Sequence, residues 1–115
     1  MSTATDQIIP ARLDKSSVLL RCLGFPIHRI GYRQAAVSIA RFSQGDVQSL
    51  SKEVYPLAAE LCGVNDVRAV ERAIREVILA AWVHGDRECW NTYFPNFLRP
   101  PSNKVFISTL AEYVK

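Results

Sequence analysis

The chain has 115 residues, 49% of them hydrophobic, and its 14 Lys and Arg against 11 Asp and Glu leave a formal charge of +3. That is one domain by length, able to bury about 65% of its unfolded surface in a single core without a metal or a disulfide framework. The opening residues lack the basic start and apolar run of a signal peptide, and no run approaches a membrane span, so a soluble cytoplasmic protein with no membrane partner is expected.

Met1 to Leu13 mixes Ser, Thr, Ala, Asp and Gln around Ile8-Ile9-Pro10, and reads as a flexible arm or a loosely docked tail. A first helix is predicted over Asp14 to Leu23, with Val18, Leu19, Cys22 and Leu23 at helical spacing. Gly24 ends it, and Phe25-Pro26 forces an extended turn. Gly31-Tyr32 opens a second helix that packs through Ala35, Ala36, Ile39, Ala40 and Phe42, until Gln44-Gly45-Asp46 stops it. A third helical segment covers about Asp46 to Leu61. Within it Pro56 either kinks the helix or starts a fresh one at its first turn.

Gly63 then opens a short turn, and Asp66 N-caps a long helix that runs to a stop at Gly85. Val70, Ile74, Val77, Ile78, Ala81 and Trp82 form its apolar face, while Arg68, Arg72 and Arg75 fall opposite, with Glu71 and Glu76 beside them. Taken alone, this is a solvated amphipathic helix with Glu71–Arg75 and Arg72–Glu76 pairs. Preceded by a helix and a Gly turn, it takes the form of a helix-turn-helix whose second helix enters the major groove. A short helix over Glu88 to Phe94, a proline-bounded loop and a last helix capped by Ser102 complete the chain. No alternation persists long enough for a strand. The expectation is an all-α single domain of about five to six helices, spanning residues 14–115.

Catalysis is not expected, because there is no Gly-rich phosphate loop, no Walker motif and no nucleophile partner for His28. His84, Asp86, Glu88 and Cys89 lack a metal-ligand spacing and read as a helix end and a surface turn, so neither metal nor cofactor is expected. Cys22, Cys62 and Cys89 are odd in number without a CxxC, and read as reduced thiols. Trp82, Trp90, Tyr93, Phe94 and Phe97 read as core. Between Leu19 and Phe42 there are four arginines and no acid, an unopposed surface for phosphates that holds His28 and Arg29.

From about Val18 onward the chain resembles the C-terminal effector domain of the stage-zero sporulation protein A family. The resemblance is carried by Gly24-Phe25-Pro26-Ile27-His28, Gly31-Tyr32, Val54-Tyr55-Pro56, Val70-Glu71-Arg72-Ala73-Ile74-Arg75, Ala81-Trp82, and Pro101-Ser102-Asn103 with Phe106-Ile107. It implies a sequence-specific DNA-binding transcriptional regulator of sporulation. Such a domain reads a TGNCGAA-like box in double-stranded DNA, binds as a homodimer on tandem sites, and contacts RNA polymerase. Glu71, Arg72 and Arg75 would face bases, with Arg68, Glu76, His28, Arg29 and Arg99 completing the DNA-binding set. The sequence departs from the family where Ala69 replaces a common arginine and Glu76 a histidine. Those two departures favour the alternative, a protein-interaction module that modulates a related full-length transcription factor. The family's receiver domain cannot fit before the first helix, so switching by aspartyl phosphorylation within this chain is not expected.

Overall fold

A computed structural model describes residues 7–115, and among them it contains six α-helices and no strand. Helix α1 spans Pro10–Cys22, α2 Ile30–Ser43, α3 Tyr55–Leu61, α4 Val67–His84, α5 Arg87–Tyr93 and α6 Asn103–Ala111. Helix α2 is the centre of the bundle. It packs against α1, α3, α4 and α6, and Ala35 to Ala40 are all buried.

Helix α1 starts one turn before the predicted Asp14, because Pro10 occupies a first-turn position where its missing N–H costs nothing. The inward residues are Ser16, Leu20 and Leu23, whereas Val18 and Cys22 face outward. The part of the expected arm that is described is docked. Ile8 is buried, the Ile9 N–H donates to Gln44 Oε1 at 2.9 Å, and Arg12 Nη1 donates to the Ser43 carbonyl at 2.7 Å. The remainder of that arm, residues 1–6, lies outside the described residues.

The third helical segment also differs from expectation. Asp46 adopts a left-handed φ of 59°, which no helix start tolerates. The helix begins instead with a π-helical turn over Leu50–Val54, capped at Ser49. The Ser49 hydroxyl accepts from the Lys52 N–H at 3.3 Å, and the Glu53 carboxylate reaches back to the Ser49 N–H at 2.8 Å, a capping box widened by one residue. Pro56 then sits in the first turn of α3, which follows the π-helical turn without a break.

Behind α4 the aromatic residues cluster within the core. Trp90, Phe94 and Phe106 are buried, with Phe94 and Phe106 stacked at 5.5 Å and Trp82 edge-on to Trp90 at 5.2 Å. Trp90 Nε1 donates to both the Leu23 and Ala81 carbonyls at 3.0 Å, which ties the end of α1 to the last turns of α4. Truncating such a side chain to Ala costs ~3–5 kcal/mol. Two close approaches need glycine. A Cβ on Gly31 would strike the Ala73 carbonyl oxygen and sit 2.9 Å from Val77 Cγ1, and one on Gly24, at φ 91°, would lie 2.5 Å from the Cα of Gly85.

The cysteines depart from the expectation of three reduced thiols. Cys22 and Cys89 form a disulfide with a Cα–Cα separation of 6.2 Å, leaving Cys62 free. The Trp90 bridge explains the proximity, since it brings α5 back over the end of α1. Sequence spacing alone cannot show that.

Candidate nucleic-acid interface

Asp66 caps α4 as predicted, its carboxylate accepting from the Arg68 N–H at 2.9 Å. Val70, Ile74, Val77, Ile78 and Ala81 are buried, so the 3.6-residue repeat forces Arg68 and Arg72 into solvent. Gly63, at φ 70°, turns the chain from α3 into α4, and buried Ala58 and Ala59 let the two helices pack closely. The helix-turn-helix is therefore present, with a turn of residues 62–66.

Arg68, Glu71, Arg72 and Arg75 line one open groove of about 800 Å³. Its other wall comes from Leu50, Ser51 and Tyr55 before and within α3, and from Pro100, Ser102, Asn103 and Lys104 around the start of α6. Four cationic side chains thus face one carboxylate, Glu71. Seven residues separate Arg68 from Arg75, about 10 Å along a helix, which is close to the width of a DNA major groove.

The arginines are not equivalent. Arg75 is half-buried, and its Nη1 donates to the Pro101 carbonyl at 2.5 Å. Arg68 and Arg72 are exposed. Neither Glu71–Arg75 nor Arg72–Glu76 forms an ion pair among the described residues, so the solvated-helix reading loses the contacts that defined it. Glu76 pairs instead with Arg29 at 3.2 Å.

The remaining predicted residues lie elsewhere. His28 and Arg29 line a separate shallow depression with Ile27, Ile30, Arg33, Leu61 and Cys62. There burial pushes the Cys62 thiol above its ordinary value, while the nearby Arg33 guanidinium pulls it down. Arg99 is exposed in the proline loop beside Pro100. Sequence reasoning missed Lys104 and Ser51, and counted Arg33 only within the basic segment from Leu19 to Phe42. Lys104 was visible as a first-turn residue of a helix capped by Ser102, but nothing local shows that this turn faces α4.

Of His84, Asp86, Glu88 and Cys89, two have structural roles. The Asp86 carboxylate caps α5 by accepting from the Glu88 N–H at 2.8 Å and the Cys89 N–H at 3.2 Å, and Cys89 is bonded to Cys22. Arg87 lies 4.5 Å over the Trp82 ring.

A helix-turn-helix with a cationic outer face is shared by many regulators, and the whole chain narrows the choice. The sequence profile described as sporulation initiation factor Spo0A C terminal matches residues 17–114. The chain belongs to this family. A Spo0A C-terminal domain is a DNA-binding effector domain of sporulation, a transcription-factor unit and not an enzymatic one. Its partner is double-stranded DNA. No described helix is long and apolar enough to cross a membrane.

Proposed function

We propose that this domain regulates transcription in the cytoplasm by reading a short TGNCGAA-like box with the N-terminal half of α4. The observation that carries the reading is the groove-lining set Arg68, Glu71, Arg72 and Arg75 on the second helix of the helix-turn-helix. Arg72 and Arg75 suit guanine, whose O6 and N7 accept a guanidinium fork, and Glu71 suits the N4 amino group of cytosine. Arg68, Lys104, Arg99, Arg29 and His28 supply phosphate contacts, which position the domain without reading sequence. Tandem boxes would seat a homodimer, and RNA polymerase is the partner through which bound copies act.

Selection of bound duplexes from a random pool tests this reading. Enrichment of one box supports it. Recovery of unselected sequence, or of nothing, defeats it.

A second reading has one feature in its favour. Arg72, Glu76, Leu79 and Val83 follow one another along the outer side of α4, and the last two are 40% and 69% exposed. Exposed apolar residues at those positions suit contact with another protein, such as a related full-length regulator. Native mass measurement separates the two readings, since a hetero-complex that forms without DNA and blocks its binding favours the second.

A further inference from the structure

The reading half of α4 is held from outside by the segment that leads into α6. Arg75 Nη1 donates to the Pro101 carbonyl at 2.5 Å. Asn103 Nδ2 donates to the Glu71 carbonyl at 3.0 Å and to the Tyr55 hydroxyl at 3.3 Å. Both hydrogens of one amide are thereby used, one on each helix of the helix-turn-helix. Asn103 Oδ1 is buried and accepts nothing among the described residues. Flipping the amide would set that oxygen against the Glu71 carbonyl oxygen, so the two donations fix its orientation. Tyr55 is 2% exposed and serves as a rigid post.

We propose that Asn103 and the Pro101 carbonyl are positioning groups for base reading, which hold the Glu71–Arg75 turn of α4 and pre-order the Arg75 guanidinium before DNA arrives. The inference rests on the reading of DNA by α4 proposed above. A guanidinium is a planar fork, and anchoring one nitrogen at a carbonyl fixes its plane while leaving other N–H groups to donate. Rotamer freedom already surrendered in the free protein is not lost again on binding. Base edges demand that orientation, whereas phosphates tolerate a range of approaches. The two contacts therefore act on discrimination between sequences and leave general affinity for DNA alone.

The full chain and its Asn103→Ala and Asn103→Asp variants test this. The Asp variant keeps the shape of the side chain, suits the first turn of a helix, and serves where the Ala variant is poorly folded. Nitrogen relaxation of the Arg75 Nε–H in free protein is expected to show an ordered side chain in the wild type, with Arg68 mobile. In both variants Arg75 should loosen, and affinity for the selected box should fall about five- to tenfold. In the Ala variant affinity for a scrambled duplex and its salt dependence should not change; the Asp variant adds a carboxylate to the groove and weakens binding to any duplex, so it is read by the Arg75 relaxation. The proposal is overturned if Arg75 in the wild type is as mobile as Arg68, or if the variants keep box affinity within about twofold. Failure of the wild type to select any box would defeat DNA reading itself, and the relaxation measurement would still decide whether Arg75 is pre-ordered.

Discussion

Arg29 Nη2 donates to Glu76 Oε2 at 3.2 Å, joining the turn before α2 to the outer side of α4. The side chains are 50% and 62% exposed, so the pair adds on the order of 0–1 kcal/mol to stability. Its larger consequence is electrostatic. Beside the proposed DNA-reading surface such a carboxylate would repel the phosphate backbone, and Arg29 offsets that charge at the cost of its own availability.

Glu76→Gln should therefore release Arg29, leave the melting temperature nearly unchanged, and tighten binding to any duplex. The dependence of affinity on salt should steepen as one more counterion is displaced. Titrations of both proteins at several salt concentrations check this, and parallel salt slopes would count against it.

Arg72→Ala should cost ~1–3 kcal/mol on a box-containing duplex and much less on scrambled DNA. Lys104→Ala, across the groove, should weaken both duplexes alike and reduce the salt slope by about 1. Fluorescence anisotropy with the two duplexes separates these outcomes. Equal losses on both duplexes for Arg72→Ala would remove it from the reading set.

Reducing the Cys22–Cys89 disulfide should lower stability by ~2–4 kcal/mol, because the bond closes a loop between residues 67 apart in sequence. The domain should nonetheless remain folded, since Trp90 still bridges the Leu23 and Ala81 carbonyls. Thermal melts with and without reductant, and of Cys22→Ser, give the answer. Identical melting temperatures would mean that the bond does not constrain the unfolded chain.

Gly31→Ala should destabilise the fold by ~1–3 kcal/mol, because the added methyl meets the Ala73 backbone oxygen, which cannot rotate aside. Denaturant unfolding measures it, and wild-type stability would show that α2 and α4 can separate freely.

The Glu53 carboxylate accepts from the backbone N–H groups of Gln48 at 2.5 Å and Ser49 at 2.8 Å, and these bonds hold its pKa below the usual carboxylate value. A pKa lowered in the folded state stabilises the fold above the unfolded value. That contribution is lost as pH falls through the lowered value. Glu53→Gln should flatten this part of the acid limb, which melting temperature against pH would reveal. An unchanged limb would place the acid sensitivity elsewhere.

Much of the helical layout was legible because its signals are local. Asp66, Ser102 and the apolar spacing of Val70, Ile74, Val77 and Ile78 each act within one or two turns, and the structure places α4 and α6 where those residues imply. The start of α1 was misread because Ile8-Ile9-Pro10 looks like an arm until Gln44 and Ser43 are there to bind it. The π-helical turn was hidden for a related reason. Asp46 resembles an N-cap by type, and only its left-handed backbone after Gly45 disqualifies it.

Helical periodicity alone gives most of the helices, the buried side of α4 and the outward direction of Arg68 and Arg72, because it encodes which side of a helix is apolar. What the other side chains touch is set by long-range packing. Arg75 meets a carbonyl 26 residues away, Glu76 an arginine 47 away and Cys22 a cysteine 67 away. Such partners depend on how α1, α4, α5 and the approach to α6 pack together. Packing is a property of the assembled core, which no single stretch of the chain contains.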